Sequence, residues 1–299
     1  MMMRHRFWSS LSGRLLLICA TGVACTALAQ VDPAKALRDK YASMGERLRQ
    51  NEFKQPLALA SSEAPNGLRG DIYAVVAYPF GEVSASLNSP DHWCDVMMLH
   101  INTKYCHAAI GSTATILSVN IGKKTYEELA DTARVDFDYR VVAATADYFG
   151  ILLSAKEGPL GTSDYRIQLE AVALPDGKTF LHLTYAYAFR LAGRLAMRVY
   201  LGTIASHKVG FSVIGTLTDG QPDYVGGVRG LVERNTMRYY LAIDSLLGTA
   251  RAAASTQSEQ RLQNWFTAVE QYPRQLHEMN RDEYLQMKHA EYLRQDAVR

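Results

Sequence analysis

The chain has 299 residues, of which 48% are hydrophobic and 21% are charged, a balance typical of a folded globular protein. Its formal net charge is +2 at pH 7, but Arg4, Arg6 and Arg14 all precede the first long apolar run, and without them the net charge is −1. A net charge so close to zero argues against nucleic acid or an anionic membrane as the partner.

The first 29 residues have the pattern of a cleavable secretory signal peptide. A basic stretch without acids, MMMRHRFWSSLSGR, leads into the apolar residues 15–29, which end in the tripeptide ALA. This run is too short to span a bilayer comfortably. An uncleaved anchor and a lipoprotein are the alternatives, although the sequence GVAC at 22–25 has glycine where a lipobox has leucine. We therefore expect a periplasmic or secreted protein with no transmembrane span after cleavage.

Two cysteines, Cys94 and Cys106, would remain after cleavage, in the stretch SPDHWCDVMMLHINTKYC. An even number of cysteines in an oxidising compartment favours a disulfide. A bridge that closes so short a loop would stabilise the fold by roughly 3 kcal/mol. A zinc site is the weaker alternative, because the two thiols lack C-x-x-C spacing.

Helices and a strand are predicted over the first third of the mature chain. Residues 32–51 predict a helix that Asp32 caps, and residues 61–70, SSEAPNGLRG, predict a linker. Residues 71–80, DIYAVVAYPF, predict a strand. Residues 80–99 predict two short helices, with a break at Asn88-Ser89-Pro90.

A run of about six antiparallel strands is predicted next. Residues 106–122 predict a pair of strands, and residues 134–144, 148–155, 163–174 and 178–191 predict one strand each. The turn Pro175-Asp176-Gly177 predicts a hairpin between the last two. Residues 191–203 are ambiguous, with a short helix as one interpretation. Residues 208–217, KVGFSVIGTL, predict a final strand.

A long closing helix is predicted over residues 225–247. One buried stripe would follow the helical period, formed by Val228, Val232, Asn235, Tyr239, Ala242 and Leu246. The tail from about residue 256 is helical and highly charged. The residues with which it could dock are Trp265, Phe266, Tyr284 and Leu285.

The order of these elements resembles the START-like helix-grip superfamily, which includes polyketide cyclase-type and lipid-transfer proteins. Two segments carry the resemblance: YPFGEVSASLNSPDHWCDVM, with its Pro-aromatic turn and P-x-x-W pattern, and the closing VGGVRGLVERNTMRYYLAIDSLL. It implies an α+β fold in which a curved antiparallel sheet wraps around a long C-terminal helix, with extra N- and C-terminal helices. The predicted division is a signal peptide (1–29), a helix and linker (30–69), the helix-grip domain (70–248) and a helical tail (249–299).

The resemblance also implies a cavity for a lipid or another apolar small molecule. Tyr185, Tyr187 and Tyr239 would each offer it a ring and a polar tip. Asn235 interrupts an apolar stripe, so its amide would bind either a protein group or the ligand. Trp93 is expected to guard the mouth of the cavity. Arg140 and His182, with Glu170, would orient a polar head if their face lines the cavity, and are surface charges if it does not.

Common catalytic motifs such as G-x-S-x-G, H-E-x-x-H and the Walker A loop are absent from the sequence. A periplasmic binding or carrier protein is therefore the favoured function, without catalytic residues, cofactor or metal. A metal site at His92, His100 and His107 is the weaker interpretation of those residues. The alternative functions are an envelope interaction protein, whose C-terminal helices bind a partner, and a cyclase or hydrolase on the same scaffold.

Overall fold

A computed structural model of the chain describes residues 32–189 and 207–298. The chain from Asp32 to Arg299 forms one compact unit. The predicted signal peptide and the ambiguous residues 191–203 lie outside the described residues. Among the residues that are described, no helix is both long and apolar enough to cross a membrane.

Eight antiparallel strands of the described chain form one sheet, in the order β1-β2-β8-β7-β6-β5-β4-β3. The strands alternate buried and exposed side chains along much of their length, which places one face of the sheet on the core. Their bounds are β1 Leu57–Ala64, β2 Gly67–Val76, β3 Thr103–Ile110, β4 Thr115–Ile121, β5 Ala133–Ala144, β6 Tyr148–Glu157, β7 Thr162–Ala173 and β8 Thr179–Phe189.

The expected linker at residues 61–70 is wrong, because these residues belong to the hairpin of β1 and β2. The ladder runs from Leu57 opposite Ala74 to Ala64 opposite Gly67. Pro65 and Asn66 form the turn of this hairpin, and a turn and a linker share the same residue types. Gly70 lies where a side chain would collide with Thr236 of the closing helix, so glycine allows the strand and the helix to approach closely.

Two helices precede the first strand of the sheet, and two more lie between β2 and β3 in the chain. The predicted N-terminal helix is divided at Met44 into α1 (Pro33–Ser43) and α2 (Gly45–Arg49). The Oδ1 atom of Asp32 accepts a hydrogen bond from the Ala34 N–H at 3.0 Å, as expected of a cap. The break at Ser89 is confirmed between α3 (Phe80–Leu87) and α4 (Pro90–Leu99).

The predicted final strand over residues 208–217 is wrong in extent, and it does not join the large sheet. Only Val213–Thr216 is extended (β9), and it pairs with Pro222–Tyr224 (β10) in a separate two-stranded sheet. Both edges of β8 are already occupied, by β2 and β7, so the chain that follows finds no free edge there. All four residues of β9 are exposed.

The closing helix, α5 (Gly227–Gly248), packs against the concave face of the sheet, and the helix-grip arrangement is confirmed. Five of the six residues of the predicted stripe are buried, and Asn235 is half-buried. One buried stripe does not describe the whole helix, because Met237, Leu241 and Ile243 on its other faces are buried as well. The tail explains this second buried surface.

The charged tail folds as three helices: α6 (Ala254–Val269), α7 (Pro273–Leu276) and α8 (Arg281–Val298). The first two pack against α5, and α8 packs against α6 and β3. Trp265 and Tyr284 are almost fully buried, and their rings stack at 5.0 Å. Trp265 Nε1 donates a hydrogen bond to the carbonyl of Arg238 at 3.1 Å. The expected docking residues therefore contact the protein's own core, with Phe266 buried and Leu285 partly buried.

A buried ion cluster ties α8 to strand β3. Glu291 accepts from Lys104 at 2.8 Å and from Lys288 at 2.7 Å, and all three side chains are 0% exposed. Lys288 also donates to the carbonyls of His100 and Thr103, each at 2.8 Å. Burial lowers the pKa of Lys288 to about 8, against the opposing effect of Glu291. This helix covers β3, which is an edge strand.

The predicted disulfide is confirmed between Cys94 on α4 and Cys106 on β3. Their Cα atoms are 5.3 Å apart, a normal separation for a bridge, and both side chains are fully buried. The N–H of Cys106 donates to Oε1 of Gln295 at 3.1 Å, so the bridge and α8 hold the same strand.

Reduction of this bridge should lower the free energy of unfolding by about 3 kcal/mol, because it restores the freedom of a short loop in the unfolded chain. Urea unfolding of the same protein with and without dithiothreitol measures the difference and removes no side chain. Peptide mapping without reductant should recover the Cys94 and Cys106 peptides joined. Two separate peptides with free thiols would contradict the prediction.

Candidate ligand-binding cavity

A cavity of about 140 Å³ lies between α5 and the concave face of the sheet. Three residues one helical turn apart, Leu231, Asn235 and Tyr239, form its helical wall. The other lining residues come from the strands and their loops: His100, Asn102, Thr103, Ile121, Phe137, Pro159, Leu160, Thr162, Tyr165, Tyr185 and Tyr187.

Four tyrosine rings form the main surface of this cavity. The ring centroids of Tyr185 lie 5.6 Å from Tyr187 and 5.3 Å from Tyr239, and Tyr165 stacks on Tyr187 at 5.3 Å. Burial raises the pKa of all four phenols, and neighbouring tyrosines raise the pKa of Tyr185, Tyr187 and Tyr239 further. The phenols therefore stay neutral, and the cavity has an aromatic wall with polar tips.

His100 supplies a neutral hydrogen-bond donor to the wall. Its Nδ1 accepts a hydrogen bond from the N–H of Asn102 at 3.2 Å, so the proton of the neutral ring resides on Nε2. Burial lowers the pKa of His100 well below its usual value, and the charges of Arg238 and Lys288 lower it further. Nε2 is buried beside the side chain of Asn235, which acts to raise the pKa of His100, but within the described residues Nε2 forms no hydrogen bond of normal geometry. This nitrogen is therefore available to an acceptor in the cavity.

The charged side chain of Arg238 orients the amide of Asn235. Nη1 of Arg238 donates to its Oδ1 at 3.3 Å, and a guanidinium can only donate, so oxygen is the atom on that side. Glu278 in turn holds Arg238 at 2.8 Å. The amide nitrogen remains for the cavity side, where a hydrogen bond from Asn235 opposes the effect of burial on the pKa of Tyr185.

The structure brings four of the seven predicted ligand-binding residues together, namely Tyr185, Tyr187, Asn235 and Tyr239. Trp93 is not at the mouth, because it is fully buried beneath α3 and α4, where Nε1 donates to the carbonyl of Leu87 at 2.8 Å. The exposed apolar residue at the rim is Leu160, which is 78% exposed and has a φ of 57°.

Arg140 and His182 lie on the other face of the sheet, away from the cavity. Alternation along β5 buries Tyr139 toward the core and exposes Arg140. The same alternation on β8 sends Tyr185 inward and His182 outward. The expectation that both residues would orient a ligand head is therefore wrong for this cavity.

His182 instead forms an ion cluster across three strands of the outer face. Its Nε2 lies 2.8 Å from Oδ1 of Asp71, and its Nδ1 lies 3.1 Å from Oε2 of Glu170. Tyr73 stacks on the imidazole at 4.3 Å. Burial tends to lower the pKa of His182, but the hydrogen bonds to the two carboxylates outweigh it and raise the pKa.

The favoured interpretation of the sequence around His100 was a polar, partly exposed helix-loop region, and neither Tyr165 nor Leu231 was singled out. The apolar run Val96-Met97-Met98-Leu99 directly before His100 was the available signal that this position is buried. The three histidines near the cysteines do not meet: His92 contacts the Ser86 carbonyl, and His107 is exposed on β3. No group of three or more metal-ligating side chains occurs within residues 32–189 and 207–298.

Comparison with known proteins gives structural neighbours only. No family model matches the chain, and no curated protein does. A conserved protein from Geobacillus kaustophilus has a TM-score of 0.34 and 13% identity, covering 62% of this chain and 96% of its own. The ZhuI aromatase/cyclase from Streptomyces sp. R1128 has a TM-score of 0.34 and 12% identity, covering 66% and 98%.

Human StAR-related lipid transfer protein 5 has a TM-score of 0.30 and 10% identity, covering 80% of this chain and 95% of its own. All three identities and TM-scores are low. The assignment of a helix-grip fold therefore depends on the sheet order and the position of α5 described above.

The ion pairs of His182 should stabilise the fold most in mildly acidic solution. A raised pKa means that the folded protein binds the proton more tightly, so the stabilisation is complete below the unfolded value of about 6.5 and is lost as the pH rises through the folded pKa. Replacing His182 with Gln should therefore lower the free energy of unfolding more at about pH 5.5 than at about pH 9.

Urea unfolding of both proteins at the two pH values measures this difference. His107→Gln is the matched control, because it removes an exposed histidine for which the described residues provide no ion pair. An equal loss of stability at both pH values for His182→Gln would contradict the prediction.

Proposed function

We propose that this protein binds a compact apolar molecule carrying a hydrogen-bond acceptor, and that it serves as a carrier for that molecule. The cavity between α5 and the sheet carries this proposal. Its wall combines four neutral tyrosines with the Nε2–H of His100, which forms no hydrogen bond of normal geometry within the described residues, and the oriented amide of Asn235. An apolar pocket with a few placed polar groups is the usual form of a small-molecule site.

The volume favours a compact ligand over a lipid with a long acyl chain. At about 140 Å³ the cavity is smaller than the roughly 300–1,000 Å³ of drug-sized pockets. It is close to the roughly 150 Å³ of an engineered cavity that holds benzene. One aromatic ring with a small polar substituent matches both the volume and the lining.

The pKa values favour binding over acid–base catalysis. A general acid or base works best when its pKa lies near the operating pH. Burial moves the four tyrosines to higher pKa values and His100 to a lower one. The partner-binding alternative has less support, because Trp265 and Tyr284 of the tail are buried in the protein's own core.

We also propose that the protein is exported to the periplasm or secreted. The basic and apolar leader ending in ALA supports this location. A disulfide also supports it, since such bridges persist in oxidising compartments and are rare in the cytosol.

Filling the cavity should abolish binding. Leu231 lies on the helical wall and is only partly buried, so Leu231→Trp places an indole into the cavity without removing a core side chain. We expect the parent protein to bind acetophenone, measured by titration calorimetry, and the variant to bind none while keeping its melting temperature within a few degrees.

Leu217→Trp is the control, because Leu217 is 40% exposed and does not line the cavity. It should bind like the parent. If the parent binds neither acetophenone nor ethylbenzene, and native mass spectrometry finds no co-purified small molecule, the carrier proposal is wrong.

The polar part of the site is tested with two ligands of similar shape. Acetophenone has a carbonyl acceptor and ethylbenzene has none. Asn235→Leu should weaken acetophenone binding by about ten- to a hundredfold, because a polar group of the ligand then lacks its partner, and should leave ethylbenzene binding nearly unchanged. An equal loss for both ligands would show that Asn235 only supports the shape of the cavity.

A further inference from the structure

A second, open cleft lies outside the cavity, between the N-terminal helices and the C-terminal part of α5. Its volume is about 480 Å³. Tyr240 and Asp244 line it from α5, and they project from the helix nearly opposite Leu231, Asn235 and Tyr239, which line the cavity. The two spaces are thus separated by the closing helix.

The carboxylate of Asp244 faces this cleft without a partner. It is half-buried, and no hydrogen bond or ion pair to it exists within the described chain. Glu233, eleven residues earlier on the same helix, does have partners. Its carboxylate accepts hydrogen bonds from the backbone N–H groups of Phe211 at 2.6 Å and Ser212 at 2.8 Å. Burial raises the pKa of Asp244, so a nearby positive charge would stabilise the carboxylate.

Two aromatic side chains line the cleft together with Asp244. They are Tyr78, which follows β2, and Tyr240, which lies one turn before Asp244 on α5. Neither hydroxyl group forms a hydrogen bond within the described chain. The negative charge of Asp244 raises the pKa of both phenols, after the larger effect of burial, which indicates that the three groups lie close together.

The two basic residues at the rim do not neutralise the negative charge of Asp244 at the floor of the cleft. Lys178 is paired with Asp176 at 2.9 Å, so its charge is neutralised locally. Arg49 lines the rim from the exposed end of α2. No cation of the described chain reaches Asp244 within ion-pair distance.

We propose that this cleft binds a small organic ammonium ion, with Asp244 as the counter-ion and the rings of Tyr78 and Tyr240 packed against the cation. A carboxylate beside aromatic faces satisfies both the charge and the apolar substituents of such an ion. The volume of the cleft accommodates a cation with several carbon substituents. The site is independent of the cavity, and either can fail without the other.

Titration calorimetry with matched ligands tests the proposal on the unaltered protein. Choline is compared with 3,3-dimethyl-1-butanol, its neutral isostere, and benzylammonium with benzyl alcohol. We expect each cation to bind about tenfold or more tightly than its neutral counterpart. Sedimentation with phosphatidylcholine vesicles then distinguishes a headgroup on a membrane from a free ion, and binding in either arm supports the ammonium site.

Asp244→Asn is the diagnostic variant, because it removes the charge and keeps the shape. It should lose the preference for the cation and keep the affinity for acetophenone. Asp138→Asn, which removes an exposed carboxylate on β5 outside the cleft, should retain choline binding. If Asp244→Asn does not fold, Tyr78→Leu provides the second variant, with a weaker affinity for both cations.

Two results would overturn the proposal. One is a parent protein that binds neither cation more tightly than its neutral isostere. The other is a folded Asp244→Asn variant that binds choline as tightly as the parent.

Discussion

The central helix α5 is buried on nearly every face, and the other elements are arranged so as to cover it. It carries the charged side chains of Glu233 and Arg238 into the interior, where both must be neutralised or hydrogen-bonded. The carboxylate of Glu233 accepts hydrogen bonds from the backbone N–H groups of Phe211 and Ser212, and the guanidinium of Arg238 forms an ion pair with Glu278. The sheet supplies the apolar cover on one side and the tail helices supply it on the other. If the sheet alone covered α5, these charged groups would have no partners.

Two spaces follow from this arrangement. Toward the sheet, tyrosines from β7, β8 and α5 pack ring against ring and leave a small cavity with Asn235 in its wall. Toward α1 and α2, the shorter cover leaves Asp244 at the floor of an open cleft. One helix therefore presents a neutral aromatic site and an anionic site on nearly opposite faces. The first suits a compact apolar ligand, and the second suits a cation.

Periodicity in the sequence predicted the strands and the closing helix, because alternation on β5 and β8 and the four-residue spacing on α5 are local signals, and the order of these elements, by its resemblance to helix-grip proteins, implied the fold. It also placed Tyr185, Tyr187, Asn235 and Tyr239 on inward faces. It could not tell whether Arg140 and His182 faced a cavity, since that depends on which face of the sheet α5 covers. The tail helices that cover α5 on its other side were not foreseen either, because those contacts join residues far apart in the chain.

The buried cluster of Lys104, Lys288 and Glu291 has a consequence for the way the molecule is made. Lys104 belongs to the first half of the chain, whereas the carboxylate that neutralises it arrives only with α8. Until that helix docks, β3 is an open edge with a cation that must stay in water. Lys104 therefore gains its carboxylate partner only when α8 docks on β3, so the covering of this strand edge and the burial of that cation occur together.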